Sequence, residues 1–418
     1  MGSTAAEKIF AAHAGRPVRA GEIVTARVDR ALLHDITGPV AIEQFAAMGA
    51  TRLAEPSAVV LVNDHFSPAK DIPSARNLRL MREFAGRHGA HLFDVGAGIE
   101  HTLLPERGLV APGDLIVGTD SHTCTYGAFG ALGLGMGSSD VAAAMALGEL
   151  WFAVPATIRV EYTGTKGAFV TGKDLILALL GRIGTDGGLE RCLEFAGEGV
   201  WALSMDERMA LCNMSVEASA TACFVPPDET TRAWAEDRGV RFTPVASDPD
   251  AEWAEALRID LDGLPPLCAR PFSPGNVAPV AETEGVAIDQ VYIGNCSNGT
   301  LTDLRQAASV LRGRRVARGV TAIAVPATQR IFREAAREGL LEALSEAGVV
   351  IGPPTCGACA GLHMGVLAEG QRAVATINRN FRSRMGAADA EIYLANAYVA
   401  AASAVAGRLA DPREVVAA

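Results

Sequence analysis

Three cysteines are the residues whose types and spacing point most directly to chemistry: Cys296 in Ile293-Gly-Asn-Cys-Ser-Asn-Gly299, and the pair Cys356 and Cys359 in Pro353-Pro-Thr-Cys-Gly-Ala-Cys-Ala-Gly361. A Cys-x-x-Cys pair serves zinc knuckles, thiol redox pairs and iron–sulfur sites alike. Structural zinc wants a fourth Cys or His at short spacing, but the nearest histidine, His363, lies four residues past Cys359, and Cys296 is far upstream. Zinc, thiol redox and iron–sulfur readings all stay open on spacing alone. On the last of these, three thiolates cannot saturate a four-iron cubane; the open iron would take water, hydroxide or substrate oxygens and act as a Lewis acid.

Other residue types suit proton transfer and anion binding. Asp64-His65 and Asp120-Ser-His122 each set a carboxylate beside an imidazole, which fixes a tautomer and passes a proton, and Gly98-Ile-Glu-His101 adds a third imidazole. Three such histidines, out of eight in the chain, sit at or near the ends of apolar runs. His13, His34, His88 and His91 fall in helical or surface contexts and are expected to take no part. Arg379 and Arg384, in Asn378-Arg-Asn-Phe-Arg-Ser-Arg384, are spaced to hold a carboxylate. Gly133-Leu-Gly-Met-Gly137 matches neither the dinucleotide nor the P-loop spacing, so close backbone packing is its expected role. Cys124, Cys192, Cys212, Cys223 and Cys268 read as small buried hydrophobes, with Cys124 set apart by its closeness to His122.

The elements that must position these residues form a repeating pattern. Val59–Val62 runs into Asn63-Asp-His65, Leu115–Val117 into Gly118-Thr-Asp-Ser-His122, and Val291–Ile293 into the Cys296 loop; Val349–Ile351 leads to Cys356, and Ala373–Thr376 to Asn378-Arg-Asn-Phe381. Between them the spacing predicts helices over 77–87, 138–150, 304–311 and 328–347. Strand, reactive loop and helix recur as in open α/β sheets, where ligands gather at the carboxyl ends of strands and five such loops could converge on one crevice. A composition shift near Val154-Pro155 precedes an expected edge strand, Ile158–Tyr162; the prolines from Pro265 to Pro279 suggest a linker or an irregular crossing segment. The expected domains are therefore 1–155, 156–275 and 276–418.

Composition limits the function classes. With 49% hydrophobic residues but only 6% aromatics, the chain suits small-residue helices on parallel strands, an α/β class. The net charge of −11 offers no basic stripe for nucleic acid, and would repel a dianionic substrate unless arginines are concentrated in a pocket. The small-apolar run Ala395–Gly407 is too short for the about 20 residues of a membrane span. No secretory n-region and h-region opens the chain and no disulfide framework is legible, which makes the cytoplasm the expected compartment.

Taken together, these segments resemble the aconitase superfamily, most closely the large subunit of the 3-isopropylmalate dehydratase and homoaconitase branch. The carriers are Asp64-His65, Gly98-Ile-Glu-His101, Gly118-Thr-Asp-Ser-His122, Leu211-Cys-Asn-Met214 with Glu217, the three cysteines, Asn378-Arg-Asn-Phe381 with Arg384, and Glu391-Ile-Tyr-Leu394. The resemblance implies three aconitase-type α/β domains around a central [4Fe–4S] cluster on Cys296, Cys356 and Cys359, without the fourth, swivelling domain. It implies that His65 with Asp64 protonates a leaving hydroxyl, that His101, Asp120 and His122 orient water, and that Ser121, Glu217, Arg379 and Arg384 hold a dicarboxylate or tricarboxylate substrate. Asn213 and Asn378 resemble the amides near the cluster sulfurs.

The implied reaction is dehydration of a 2-substituted malate to a cis-enoate and rehydration at the neighbouring carbon, with 2-isopropylmalate as the leading substrate and homocitrate or small methylmalates as its rivals. In single-chain aconitases a Gly-Ser-Ser-Arg-like loop of the fourth domain supplies the catalytic base; Gly137-Ser-Ser-Asp140 only echoes it. A separate small subunit is therefore expected to complete the enzyme. Asn295 and Ser297, where the family usually has Ser and Thr, and Ala395-Asn-Ala397, where it commonly has Ala-Ser-Pro, are departures that remove no ligand. The rival classes are an RNA-binding cluster-free protein, which the acidic charge opposes, and a zinc or thiol-redox protein.

Overall fold

The computed structural model describes residues 2–283, 285–296, 298–361 and 363–417. Ser297, one of the departures noted above, lies outside them. The chain forms two compact units, one made of Met1–Val95, Leu103–Thr163 and Asp186–Asp260, the other of Gly96–Thr102, Gly164–Thr185 and Leu261–Ala418.

The first unit holds a parallel sheet of β1 (Arg30–His34), β2 (Val59–Val62), β3 (His91–Phe93), β4 (Leu115–Gly118) and β5 (Leu132–Gly135), in the order β3-β2-β1-β4-β5. β2 and β4 are buried along their whole length, which is why they read as unbroken apolar runs: helices cover both faces of a parallel strand. The helix Ile72–His88 follows β2, started by Asp71, whose carboxylate accepts from Ser74 N at 2.8 Å, and stopped by Gly89 at φ +71°. Strand order reverses between β1 and β4, so the connections leaving these two neighbours run to opposite sides and open a crevice at their carboxyl ends. Close packing of the glycine run is borne out: a Cβ on Gly133 in β5 would collide with the Thr123 carbonyl.

A second parallel sheet of this unit contains β6 (Ala156–Thr163), β7 (Arg191–Ala196), β8 (Ala222–Phe224) and β9 (Glu255–Asp260), ordered β8-β7-β6-β9. β6 is thus interior rather than the expected edge; its alternating burial reports one covered face, not an unpaired side. The helix expected over 138–150 stops at Leu147, capped by Gly148 at φ +75°, and Glu149–Ala153 forms an antiparallel ribbon with Ile23–Arg27.

The second unit contains β10 (Leu267–Ala269), β11 (Val277–Pro279), β12 (Gln290–Gly294), β13 (Thr321–Val325), β14 (Val350–Ile351), β15 (Arg372–Ala375) and β16 (Glu391–Leu394) in one sheet, β11-β10-β16-β15-β12-β13-β14. The run from β16 to β14 is parallel, with a switch point between β12 and β15; β10 and β11 extend it as an antiparallel edge. The proline-rich stretch is therefore part of a sheet and not a linker. Pro279 is tolerated because it closes an edge strand, where a missing N–H goes unnoticed. The helix expected over 328–347 is two, Gln329–Arg337 and Leu340–Glu346, broken by Gly339 at φ +68°. Among the described residues no helix is long and apolar enough to cross a membrane.

Candidate active site

In the first unit the loops after β1, β2 and β4 carry a tight group of imidazoles and carboxylates. Asp64 is wholly buried, and its Oδ1 lies 2.7 Å from His65 Nδ1, which places a proton on that nitrogen. Nε2 lies 3.8 Å from Asp120 Oδ2. The loop is pinned from below by Asp35, whose carboxylate accepts the backbone N–H groups of Asp64, His65 and Phe66 at 3.0, 2.8 and 2.7 Å. Asp120 in turn accepts the backbone N–H of His122 at 2.6 Å and sits 3.3 Å from His122 Nδ1, while His122 Nε2 lies 3.0 Å from Glu217 Oε1. An imidazole is thus held between two carboxylates, and Ser121 beside it is half-buried. Asn213 donates to Thr125 Oγ1 at 2.7 Å.

His34, which the sequence reading set aside, is a member of this group. It ends β1, the strand between β2 and β4, and is buried. Its ring stacks on that of His65 with centroids 4.1 Å apart, and Nε2 lies 3.7 Å from Asp120 Oδ2 and 2.7 Å from Thr37 Oγ1. The Ile36 N–H donates to Nδ1 at 3.3 Å, which leaves the proton of the neutral ring on Nε2. A signal was present: His34-Asp35 closes a strand just as Asp64-His65 follows one.

In the second unit the loops after β12, β14 and β15 bring forward Cys296, the Cys356–Cys359 pair and Asn378 with Arg379 and Arg384. The three thiols are buried, each at most 6% exposed. Asn378 Nδ2 donates to Cys296 Sγ at 3.3 Å, and Arg384 Nη2 lies 3.2 Å from Cys359 Sγ. Gly357, at φ +58°, lets the Cys-x-x-Cys turn pass over Tyr292, whose hydroxyl any Cβ there would strike and which donates to Cys356 O at 3.0 Å. Burial pushes the Tyr292 phenol well above its ordinary range, and Cys359 and Cys356 add to this, so it remains a donor. Arg379 is half-buried. His101 is buried, with Nε2 3.6 Å from Glu100 Oε1; the hydroxyl of its neighbour Thr102 donates to the Cys296 carbonyl at 2.7 Å.

An all-sulfur donor set, buried and approached by an amide and a guanidinium, suits iron–sulfur chemistry: soft thiolates bind such clusters, and donors directed at sulfur tune them. The three cysteines fit that group. Cys124 belongs to the first unit; its Sγ faces the carbonyls of Cys212 and Asn213 at 3.4 and 3.5 Å, and the Cys223 thiol, then burial, hold its pKa well above the ordinary thiol range. No disulfide joins any of the eight cysteines.

The comparisons with known proteins agree with this architecture. A 3-isopropylmalate dehydratase large subunit 2 of Rubrobacter xylanophilus is 52% identical over 418 residues, covering 99% of both chains. A 3-isopropylmalate dehydratase large subunit of Nitratidesulfovibrio vulgaris is 52% identical over 415 residues, again 99% of each. The crystal structure of Thermococcus kodakaraensis aconitase X in its holo-form shares the fold, with a TM-score of 0.52 over 90% of this chain and 88% of that one at 16% identity. The model of the aconitase family (aconitate hydratase) matches residues 7–285 and 280–407. A match of that extent, on a chain built of doubly wound parallel sheets, makes this chain a member of the aconitase family.

Proposed function

We propose that the chain is the cluster-bearing large subunit of a hydro-lyase that dehydrates a 2-substituted malate to a cis-enoate and rehydrates it at the neighbouring carbon, acting on 2-isopropylmalate. The observation that carries this reading is identity at 52% along 99% of relatives named as 3-isopropylmalate dehydratase large subunits. In this reading a [4Fe–4S] cluster held by Cys296, Cys356 and Cys359 supplies Lewis acidity for the leaving hydroxyl. His65, with Nδ1 tied to Asp64, delivers a proton from Nε2 to that hydroxyl. His101, Asp120 and His122 orient water, Ser121 and Glu217 meet the substrate, and Arg379 and Arg384 hold a carboxylate; Asn213 and Asn378 shape the surroundings of the sulfurs.

The base that removes the C–H proton belongs to a separate small subunit in this proposal, in keeping with the large-subunit naming of the relatives. The three segments 1–155, 156–275 and 276–418 are proposed as its three domains, supported by sheets whose strands span Arg30–Gly135 and Ala156–Asp260; the third sheet starts ahead of the second of these boundaries, at Leu267. The test is anaerobic reconstitution with iron and sulfide, addition of the small subunit, and an ultraviolet assay of enoate formation from several 2-alkylmalates. About four iron and four sulfide per chain, with fastest turnover of 2-isopropylmalate, is the expected result. One zinc per chain, or no enoate from any of these acids, refutes the reading.

A further inference from the structure

Lys173 stands where the fold gives a positive charge least support. It is wholly buried and lies in the first turn of the helix Gly172–Ile183, so burial and the helix dipole both oppose its cation. Among the described residues its ammonium donates to Ile377 O at 2.7 Å, Thr376 O at 2.9 Å and Asn298 Oδ1 at 3.3 Å. Three acceptors match the three donors of a charged lysine, and a neutral amine has only two. They belong to the loops after β12 and β15, the neighbouring strands at the switch point.

The Asn298 side chain is held at both ends, by Lys173 at Oδ1 and by Asp303 Oδ1, which accepts from Nδ2 at 3.2 Å, and from the backbone N–H of the residue so anchored a run of hydrogen bonds leads to a cysteine sulfur. The Asn298 backbone N–H donates to Asn295 Oδ1 at 2.8 Å; Asn295 Nδ2 donates to Asn378 Oδ1 at 2.8 Å; Asn378 Nδ2 donates to Cys296 Sγ at 3.3 Å. Every donor points toward the sulfur, and bonds aligned in this way polarise one another. Asn295 is buried at φ +131°, a backbone region that residues with side chains rarely adopt and that persists only where the surroundings over-determine it. Its amide, engaged at both ends, does so. A serine at this position cannot span both partners.

We infer that Lys173 and Asn295 are positioning residues that act through Asn378 on Cys296: a polarised relay, anchored by a buried cation, fixes the thiol and withdraws electron density from its sulfur. The inference rests on the cluster reading above, since it gives the sulfur a metal to hold. Donors and positive charge near a cluster sulfur raise its reduction potential and slow loss of the metal.

The test uses the full-length chain with Asn295→Ser, Lys173→Met and both together. In the iron-free chain, amides at 298–300 and 376–380 are expected to exchange hydrogen at least about tenfold faster in each variant, with wild-type rates in the sheet β1 to β5. After anaerobic loading, both single variants are expected to release iron to a chelator at least about tenfold faster and to show a more negative midpoint potential. The double variant should be no worse than the worse single one, because one relay breaks only once. Wild-type exchange and iron release in both single variants, or effects that multiply in the double, would overturn the proposal. If Lys173→Met does not fold, Asn295→Ser alone decides by the same readouts. Failure of the wild-type chain to load iron would sink the cluster reading, while the exchange measurement still judges the relay.

Discussion

Replacing Asp114 by Asn should stabilise the protein at neutral pH. Asp114 precedes β4, at the end of the sheet opposite His65, and is 8% exposed. Burial, and next the charge of Asp29, push its carboxyl up to about 6 from an ordinary 3.8. Folding thus binds this proton more tightly than the unfolded chain does; stability falls as pH climbs from about 4 through about 6, and the full penalty is present at pH 7 to 8. At ~1.4 kcal/mol per tenfold, the gap between 3.8 and about 6 is worth about 3 kcal/mol. Asparagine carries no proton and keeps an oxygen for the Ala111 N–H that donates to Asp114 at 2.8 Å, but it gives up the charged contact with Arg241 at 3.1 Å. The pull of Arg241 is already contained in the value of about 6, so loss of that contact subtracts nothing further and the net gain at pH 8 stays at about 3 kcal/mol. Melting followed by circular dichroism from pH 4 to pH 8 should show the variant level with wild type at pH 4 and higher by several degrees at pH 8, at about 2–4 °C per kcal/mol for a unit of this size. A gain that is equal at both ends of the range, or a loss at pH 8, would refute the argument.

Other substitutions test the site and its supports. Asp64→Asn should lower kcat by about 100-fold or more with little change in KM and an unchanged circular dichroism spectrum, since it removes the carboxylate that fixes the His65 tautomer. Arg384→Lys, assayed the same way, should raise KM about tenfold while iron uptake persists, because an ammonium cannot replace a planar fork. Asp228→Ala should cost about 3 kcal/mol in urea unfolding, because it strands the wholly buried Arg208 guanidinium that Asp228 now meets at 2.8 and 2.6 Å. Adding Arg208→Met to that variant should recover part of the loss, as no unpaired charge then remains buried.

The strands that carry reactive loops were legible because burial on both faces makes them unbroken apolar runs; Val59–Val62 and Leu115–Val117 are where they were expected. Boundaries were less legible wherever a glycine changed hand: Gly148 and Gly339 end helices that apolar periodicity alone would have continued. Edge and interior could not be told apart for Ile158–Tyr162, since alternation records faces and not neighbours. Within the site, adjacency depends on strand order, which no local pattern encodes. His34 looked like a surface residue until β1 was seen to lie between β2 and β4. Lys173 gave no sign at all, because its three acceptors lie more than a hundred positions away in sequence, mostly on backbone carbonyls.

The two switch points have a consequence for the order of events in the cell. Arg30 pairs with Ile116 in the first unit, and Gln290 with Ala373 in the second; each pairing closes a long stretch of chain before the contact rewards it, so such pairings form slowly. The carboxyl ends of these strands are the places where His65 joins Asp120 and where Asn378 reaches Cys296. A nascent chain therefore has its cysteines before it has the loops that surround them, and the reach of Asn378 to Cys296 reports that the sheet of the second unit is finished.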